Sequence, residues 1–379
     1  MKVTKIELVE LPNRNEGTWM NDERVSSPLS SYSEFAQSRS KWMRLDSQVI
    51  CIIYTDEGII GTGITTGGKS VISIIKEQLS IFVLSQDPLQ RSRIYDQMYR
   101  GTVPYGHSKM IMSGIGCIDI ALWNISAKKL GTPLYNLMGG KIKDRIQTYA
   151  TIGKAEQIPT EQFVGYKAIV PFGPADGKAG ANGNLNLIHE IRKKIGPDHY
   201  IAIDCFCSWD IEYTLWMLKL LKNENIAWIE DPLEPNDISG YSVMKNIVPQ
   251  VNLALGNFIF DPKEFYSMIR LGLIDVLQPD IRWAGGISGA IALSKLANLA
   301  GLTFSPHNGA SQPWAMHLLS TFPGKGDAEL VILNVDGKKI PNHIYGSPSS
   351  SPALLNLSTD LDSSKLEELK TLGNTTIVE

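Results

Sequence analysis

The sequence predicts an α/β protein in which a closed parallel β/α barrel follows a smaller α+β domain. From residue 146 onward, short apolar runs alternate with helix-like segments, and eight such runs follow one another. Alternation of strand and helix favours a parallel sheet, and eight units favour closure of that sheet into a barrel. The 379 residues also exceed the roughly 250–300 residues at which one hydrophobic core stops growing, so we expect two domains.

The first 140 residues predict the smaller domain. Strands are expected at 4–12, 48–54 and 59–64, and the turn at Asp56-Glu57-Gly58 makes the last two antiparallel. Helices are expected at 69–84, 88–99 and 107–130. The long polar segment 13–46 between the first two strands predicts an active-site lid. Gly139-Gly140 marks the end of this domain, which therefore covers residues 1–140.

The barrel is predicted to occupy residues 141–340. Its strands are expected at 146–152, 165–171, 200–206, 226–232, 252–258, 274–280, 302–308 and 329–334. Helix signals lie between them, for example Asp261-Pro262, an N-cap residue followed by proline at the first helical position. The remaining segment, 341–379, begins with polar residues and is expected to pack back on the first domain.

The composition limits the classes of partner and the compartment. The 36 basic and 39 acidic residues give a net charge of −3, which provides no general attraction for nucleic acid or for an anionic membrane. The chain has four cysteines, no secretory signal pattern and no apolar run of about 18 residues, so we expect a cytoplasmic protein. A small molecule is the expected partner.

Residues that could bind a metal end three successive predicted strands of the barrel. They are Asp204, Glu230 and Asn257, spaced 26 and 27 positions apart. Because the carboxyl ends of barrel strands meet at one face, these three side chains would converge. Oxygen ligands that leave open positions suit Mg²⁺. Any one of them alone would more often be a solvated strand end or a helix cap, but the regular spacing of all three favours a metal site.

Residues that could move a proton or contact a substrate belong to other strands. Asp280 and His307 end the sixth and seventh strands, and a carboxylate bonded to one imidazole nitrogen makes the other nitrogen a general base or acid. A second lysine at position 169 would form a Lys-x-Lys base with Lys167, but that residue is Ile169. We therefore expect Lys167 to contact an oxygen of the substrate or a metal-bound oxygen and not to act as the base. Glu329, at the start of the eighth strand, is either a hydrogen-bonding partner of the substrate or an ordinary barrel residue.

Several motifs resemble the mandelate racemase subgroup of the enolase superfamily. They include SGIGCIDIALWNISAKKLGTPLYNLMGG (113–140), LQPDIRWAGGISG (277–289) and SPHN (305–308). Within that subgroup, QSRS (37–40) and CFCSWDIEY (205–213) are most similar to the rhamnonate dehydratases. The resemblance implies a modified TIM barrel of the (β/α)7β type with an N-terminal α+β capping domain, and it implies a homo-oligomer.

The resemblance also implies a reaction. A Mg²⁺ ion would bind the carboxylate of a sugar acid such as L-rhamnonate, a base would take the α-proton, and the β-hydroxyl would leave to give a 2-keto-3-deoxy acid. By position, the resemblance implies that the metal ligands are Asp204, Glu230 and Asn257. The base would be His307, paired with Asp280. Glu329 would contact the reacting substrate, and Lys167 and Arg39 would bind it.

Three positions depart from the family pattern. Asn257 stands where the third ligand is normally Glu, Phe258 follows where the relatives have His, and the lid, near Glu23-Arg24, contains no His. The neutral amide should weaken Mg²⁺ binding, and the other two changes bear on the choice of substrate. Two other interpretations therefore stay open. One is a racemase or epimerase of a 2-hydroxy acid, against which Ile169 counts, and the other is a non-catalytic protein on the enolase scaffold.

Overall fold

The computed structural model describes residues 1–11, 24–36, 42, 47–159, 163–335, 338–341 and 363–379. Most of the predicted lid, including Arg39, lies outside these residues. The described residues form a four-stranded antiparallel sheet and a nine-stranded, largely parallel sheet. The strands are β1 (Val3–Glu10), β2 (Gln48–Thr55), β3 (Ile60–Thr66), β4 (Thr148–Ile152), β5 (Gly165–Ile169), β6 (Tyr200–Asp204), β7 (Ile226–Glu230), β8 (Leu253–Leu255), β9 (Val276–Leu277), β10 (Thr303–Phe304), β11 (Ala328–Val335), β12 (Lys338–Pro341) and β13 (Asn374–Val378).

Helices pack against both sheets. The α-helices are α1 (Gly68–Ile74), α2 (Arg91–Gly101), α3 (Lys109–Leu130), α4 (Leu134–Leu137), α5 (Gly177–Ile195), α6 (Ile211–Leu220), α7 (Ile238–Ile247), α8 (Pro262–Arg270), α9 (Gly286–Ala300), α10 (Pro313–Thr321) and α11 (Ser363–Leu372). The helix predicted at 69–84 changes geometry along its length, because a π-helical segment (Ile75–Leu79) and a 3₁₀ turn (Ser80–Phe82) follow α1. Asp261 caps α8 by accepting the backbone N–H of Lys263, as its sequence predicts.

The antiparallel sheet has the strand order β13-β1-β2-β3, so a strand from the C-terminal segment pairs with β1. Helix α3 packs very closely on β3 because glycines there have no side chain. A Cβ on Gly63 would lie 2.0 Å from the carbonyl oxygen of Cys117, and a Cβ on Gly61 would lie 2.3 Å from that of Ala121. Helix α3 is long and apolar enough to span a membrane, but 94% of its most apolar window is buried inside the protein. It is therefore a core helix.

The second sheet confirms the predicted fold class. Strands β4 to β10 run parallel in chain order, β11 lies parallel beside β4, and β12 pairs antiparallel with β11. At the other edge, Phe304 N–H donates to the carbonyl of Lys325 (2.9 Å) and the Ser305 hydroxyl donates to that of Asp327 (2.7 Å). Both acceptors lie just before β11, so these two bonds link β10 to the chain that enters β11. They take the place of the strand ladder that joins every other pair of neighbouring strands in this curled sheet.

Six of the eight predicted barrel strands, those from 165–171 to 302–308, are too long at their carboxyl ends. The observed ends are Asp204 in β6, Leu255 in β8, Leu277 in β9 and Phe304 in β10. The chain turns away beyond several strands because Phe206, Asp231 and Asn308 adopt left-handed backbone, with φ of 47°, 41° and 53°. Three predicted site residues therefore lie in the loops that follow strands: Asn257, Asp280 and His307.

The barrel interior below these loops is filled by side chains. They are Tyr149, Ala202, Trp228, Ala254 and Val276, packed as one buried cluster. A larger apolar core lies between the strands and the outer helices. Since the interior is packed, polar side chains gather above it at the carboxyl ends of the strands, where loops can shape a site.

A buried carboxylate joins α3 to the barrel. Asp119 accepts both the backbone N–H (2.8 Å) and the hydroxyl (2.6 Å) of Ser288 near the start of α9. Burial raises the pKa of Asp119 to about 7, although the bonds from Ser288 and the charge of Arg91 oppose the shift. The ionised form of this carboxyl is therefore less favourable in the folded protein than in the unfolded chain.

We expect the stability of this junction to fall as pH rises. An acid whose pKa is raised by folding stabilises the fold below its unfolded value near 3.8, and that contribution is lost as pH passes about 7. Asp119→Asn removes the titration, so its Tm relative to wild type should rise by roughly 2–5 °C between pH 5 and pH 8. Differential scanning calorimetry at both pH values measures this, and a Tm difference that does not change with pH would contradict the account.

Candidate metal and proton-transfer site

Four of the predicted site residues meet at the carboxyl end of the barrel. Lys167 lies on β5, Asp204 and Glu230 end β6 and β7, and Glu329 lies on β11. The Lys167 ammonium is 2.5 Å from Glu230 Oε1, 2.8 Å from Glu329 Oε1 and 3.3 Å from Asp204 Oδ2. All four side chains are buried. The parallel register explains the meeting, since Asp204 lies opposite Glu230 in the ladder of β6 and β7.

Three carboxyl groups face one ammonium in this buried cluster, so negative charge exceeds positive charge when they are ionised. Burial raises the pKa of Glu230 to about 8; Lys167 opposes this shift, whereas Asp204 and Glu329 add to it. Burial alone would lower the pKa of Lys167, but the three carboxylates outweigh it and hold that pKa well above its ordinary value. Lys167 is therefore an ammonium in this arrangement, and the cluster still lacks positive charge.

Two further side chains at neighbouring strand ends have oxygen atoms without a hydrogen-bond partner among the described residues. Asn257 is 3% exposed, and its amide oxygen accepts no hydrogen bond from any residue that the structure describes. Asp231, which no sequence pattern singles out, follows Glu230 directly and is 1% exposed, and neither of its carboxylate oxygens has a partner within the described part of the chain. Buried polar atoms are nearly always hydrogen-bonded, so unpaired oxygens beside excess negative charge indicate that a cation belongs here.

The side chains fit Mg²⁺ by chemistry, although they do not form a ready metal cage. In the part of the chain that the structure describes, no three His, Cys, Asp or Glu side chains are placed to hold one ion. The Lys167 ammonium lies among the carboxylates instead, and the third predicted ligand, Asn257, is an amide. Mg²⁺ takes hard oxygen ligands and keeps other positions for water or substrate, which Asp204, Glu230 and Asn257 could provide once the carboxylates turn from Lys167.

The predicted proton-transfer pair is in contact. His307 Nδ1 lies 2.9 Å from Asp280 Oδ2, and the His307 side chain is 20% exposed, whereas that of Asp280 is fully buried. The His307 ring lies beside that of Trp283, with 5.4 Å between centroids. Since the carboxylate accepts from Nδ1–H, the tautomer is fixed and Nε2 is the nitrogen available to a substrate.

Residues that the sequence analysis did not identify hold these groups in place. Arg282 donates to both carboxylate oxygens of Asp280. The Thr151 hydroxyl donates to Glu329 Oε1 (2.5 Å), and the backbone N–H of Asn308 donates to Glu329 Oε2 (2.6 Å). Arg282 could have been found because it lies two positions after Asp280. Thr151 gives no such signal, since only the pairing of β4 with β11 brings it close.

An apolar wall lies over these strand ends. We use this name for Val25, Ile169, Phe206 and Val331 together with Trp42 and Phe258. The Trp42 ring contacts those of Phe206 and Phe258 edge-on, at centroid distances of 5.9 and 6.0 Å. Trp42 and Phe258 also line a cleft of about 710 Å³. The wall therefore places the apolar side chains of Ile169 and Phe258 beside the polar strand ends.

The described part of the predicted lid crosses the loops that follow β5 and β6. Ser26 N–H donates to the carbonyl of Val170 (3.0 Å), and its hydroxyl lies 2.5 Å from that of Ser208. Arg24 forms an ion pair with Asp176. This segment therefore borders the site. Arg39, the predicted substrate contact from the lid, lies outside the described residues.

Two family models match the chain. The one described as "Mandelate racemase / muconate lactonizing enzyme, N-terminal domain" matches residues 36–139. The one described as "Enolase C-terminal domain-like" matches residues 165–343. The first match covers the second and third strands of the antiparallel sheet and the helices that pack on it, and the second covers the barrel from β5 onward.

Curated relatives and solved structures are similar over most of the chain. A protein of Caldivirga maquilingensis named "Putative L-rhamnonate dehydratase" is 32% identical over 83% of this chain and 79% of its own length. The L-rhamnonate dehydratase of Saccharopolyspora erythraea is 28% identical over 90% and 85%. The crystal structure of rhamnonate dehydratase from Gibberella zeae complexed with Mg superposes with a TM-score of 0.88, at 24% identity over 98% of this chain and 97% of that one.

Proposed function

Because the chain belongs to the mandelate racemase / muconate lactonizing enzyme family of enolase-type proteins, we propose that it is an acid-sugar dehydratase, a hydro-lyase that uses Mg²⁺. One observation carries the proposal: a buried, negatively charged oxygen cluster and a His307–Asp280 pair occupy the same end of one barrel. The names of the two curated relatives support the reaction class. The proposed substrate is a sugar acid of the L-rhamnonate kind, and the product is its 2-keto-3-deoxy acid.

Asp204, Glu230 and Asn257 are the proposed metal ligands. Their support is the group of carboxyls around Lys167 and the amide oxygen of Asn257, which has no hydrogen-bond partner among the described residues. Bound there, Mg²⁺ would hold the substrate carboxylate and stabilise the negative charge that develops as the α-proton leaves. The Mg complex of the Gibberella zeae relative is consistent with this choice of ion.

His307 is the proposed base. Its Nδ1–H donates to Asp280, so Nε2 carries the lone pair that takes the α-proton. The electrons of the broken C–H bond form a C–C double bond, and the β-hydroxyl departs as water with the proton that the imidazolium returns. The resulting enol rearranges to the 2-keto acid. One base suffices for elimination, whereas racemisation needs a base on each face, and Ile169 offers none.

The remaining predicted residues would orient the substrate. Lys167 is proposed to contact an oxygen of the substrate carboxylate, because its ammonium is fixed by carboxylates at the strand ends. Glu329 is held by Thr151 and by the N–H of Asn308, and it is proposed to border the reacting carbon beside His307. Arg39 stays a proposed substrate contact from the lid.

We further propose a cytoplasmic homo-oligomer whose partner is a small sugar acid, with no nucleic acid or membrane partner. The net charge of −3 and the burial of α3 support the choice of a small-molecule partner, and the homo-oligomer rests on the family resemblance alone. The domain division proposed is a capping domain at 1–140, a barrel at 141–340 and a C-terminal segment at 341–379. The pairing of β13 with β1 and the ranges matched by the two family models agree with this division.

A substrate screen tests the proposed reaction. Purified protein is incubated with Mg²⁺ and a panel of aldonic and aldaric acids in deuterated water, and 2-keto acids are detected with semicarbazide. We expect at least one aldonic acid of the L-rhamnonate kind to give a 2-keto-3-deoxy product. Exchange of the α-proton without loss of water would instead support the racemase or epimerase. Neither product nor exchange, together with no calorimetric heat of Mg²⁺ binding, would support the non-catalytic alternative.

The neutral third ligand makes a separate prediction. Asn257→Glu adds one negative charge at the proposed metal, so the Kd for Mg²⁺ should fall by about tenfold, or about 1.4 kcal/mol. Asn223→Glu adds the same charge at an exposed position far from the barrel mouth and serves as the control. Isothermal titration calorimetry measures both. Equal Kd values for wild type and Asn257→Glu would show that residue 257 does not bind the ion.

A further inference from the structure

The carboxylate that orients His307 is clamped by an arginine. Arg282 donates its backbone N–H (2.9 Å) and its Nε (2.9 Å) to Asp280 Oδ1, and its Nη2 (2.6 Å) to Asp280 Oδ2. His307 Nδ1 bonds the same Oδ2 at 2.9 Å, and Gln312 Nε2 approaches it at 3.4 Å. This is a bidentate pair with a third bond from the backbone, so the plane of the carboxylate is fixed by Arg282.

The backbone around Arg282 is held by residues outside the barrel strands. The carbonyl of Arg282 accepts the hydroxyl of Thr65 on β3 (3.4 Å), and Trp283 Nε1 donates to the hydroxyl of Thr66 (3.0 Å). Helix α3 approaches the same segment so closely that a Cβ on Gly116 would lie 2.5 Å from the Arg282 carbonyl oxygen. The antiparallel part of the protein therefore holds the backbone from which Arg282 reaches Asp280.

The ion pair between Arg282 and Asp280 also reduces the negative charge that acts on the His307 imidazole. Burial would raise the pKa of Asp280, but Arg282 and then His307 outweigh it and hold that pKa well below its usual range. The carboxylate is ionised, and its negative charge is shared between a permanent cation and the imidazole. A bare buried carboxylate would hold a protonated imidazole more tightly than one already paired with arginine.

We propose that Arg282 is a positioning residue for His307: it fixes the plane of the Asp280 carboxylate and shares its charge, so that the imidazole can release the proton it has taken. The proposal rests on the proposed dehydratase reaction, in which the proton taken from carbon is returned to the departing hydroxyl. A base that kept its proton would stall the second half of that reaction, because the hydroxyl would have to leave as hydroxide.

Among the residues that the structure describes, the other charged groups around His307 do not bond the Asp280 carboxylate. Glu329 on β11 interacts with His307 electrostatically, and its own oxygens are bonded to Lys167, Thr151 and Asn308. Lys109, at the start of α3, lies over the ring of Trp283, with its ammonium 4.1 Å from the ring centroid. Removing Arg282 should therefore raise the proton affinity of His307.

The test follows the protonation of His307 directly. Arg282→Met, Arg282→Lys and wild type are labelled at histidine with ¹³C and ¹⁵N, and the His307 signal is assigned by its loss in His307→Asn. The NMR titration is run without substrate or added metal. We expect Arg282→Met to move the titration midpoint of His307 to higher pH by about 1 unit, and Arg282→Lys, which keeps the charge without the fork, to move it by less.

Arg192→Met is the matched control. Arg192 is also largely buried and donates to three backbone carbonyls, those of Gly196, His199 and Glu224, away from His307. Its loss should lower Tm and leave the His307 midpoint unchanged. In an active preparation, Arg282→Met should also lower kcat about tenfold and move the acid limb of the kcat profile to higher pH, with less change in KM.

An unchanged His307 midpoint in folded Arg282→Met would overturn the proposal, even if kcat fell. Should Arg282→Met fail to fold, Arg282→Lys decides: a smaller shift in the same direction supports the clamp, and no shift overturns it. Because the titration needs neither substrate nor turnover, its outcome is independent of the substrate screen. A protein that dehydrates no sugar acid would refute the proposed function while the His307 midpoints still report on Arg282.

Discussion

His307→Asn should lower the kcat of dehydration by about 10³-fold, within the 10²–10⁴ range that a general base contributes. The asparagine amide can still donate to Asp280, so the loop geometry is kept while the basic nitrogen is lost. Since the imidazole accepts the proton in the transition state and does not bind the ground-state substrate, kcat and kcat/KM should fall together and KM should change little. Steady-state kinetics on the sugar acid found by the screen measures the effect.

A second histidine provides the control for this variant. His189 lies on α5, is about half exposed and contacts Glu224 at 3.2 Å, away from the strand ends. His189→Asn should retain the wild-type kcat. If His307→Asn kept more than a tenth of the wild-type kcat, another group would have to take the α-proton. The assignment of His307 as base would then be wrong.

Lys167→Met should lower the free energy of unfolding by about 3–5 kcal/mol when Mg²⁺ is absent. The change leaves the buried carboxylates of Asp204, Glu230 and Glu329 without the ammonium that lies within 3.3 Å of each of them. Mg²⁺ would supply positive charge to the same carboxylates. It should therefore raise the Tm of Lys167→Met more than it raises the Tm of wild type.

Thermal unfolding with EDTA and with Mg²⁺ separates these contributions. Lys129→Met is the control, because it breaks a surface ion pair of 2.5 Å with Glu57 in which both side chains are 39% exposed. Such pairs contribute about 0–1 kcal/mol, and Mg²⁺ should have no special effect on this variant. A Lys167→Met protein as stable as wild type in EDTA would mean that the carboxylates are neutral in the folded state. An equal Mg²⁺ effect on Lys167→Met and wild type would place the ion elsewhere.

Much of the barrel and of its polar end could be predicted because both follow from periodic patterns. Apolar runs separated by helix signals gave the order of β4 to β11, and the polar residues that follow those runs gave Asp204, Glu230, Asp280 and His307. The strands meet at one face, so residues far apart in sequence come together without any local signal being needed. The contacts of Lys167 with three carboxylates are a consequence of that geometry.

The features of the site that could not be predicted from the sequence depend on local backbone geometry and on burial. The left-handed conformations of Phe206 and Asn308 end regular pairing early, and Asn308 thereby directs its N–H to Glu329. Neither conformation has a periodic signature. From the sequence, Asp231 looks like a solvated residue beside Glu230, yet it is buried, and its carboxylate has no hydrogen-bond partner among the described residues. In the sequence, only its place two positions after Asp280 separates Arg282 from the other lysines and arginines, 36 in all. Its role becomes visible only in the structure, where the loop after β9 brings it onto Asp280.

We propose that a divalent cation at Asp204, Glu230 and Asn257 and a base at His307 together remove the α-proton of a sugar acid. The most direct measurement is dehydration of L-rhamnonate and related aldonic acids by protein stripped with EDTA, followed as Mg²⁺ is restored. We expect no 2-keto-3-deoxy product without the ion and saturable recovery of product formation with it. Turnover that is the same in EDTA and in Mg²⁺ would contradict the account.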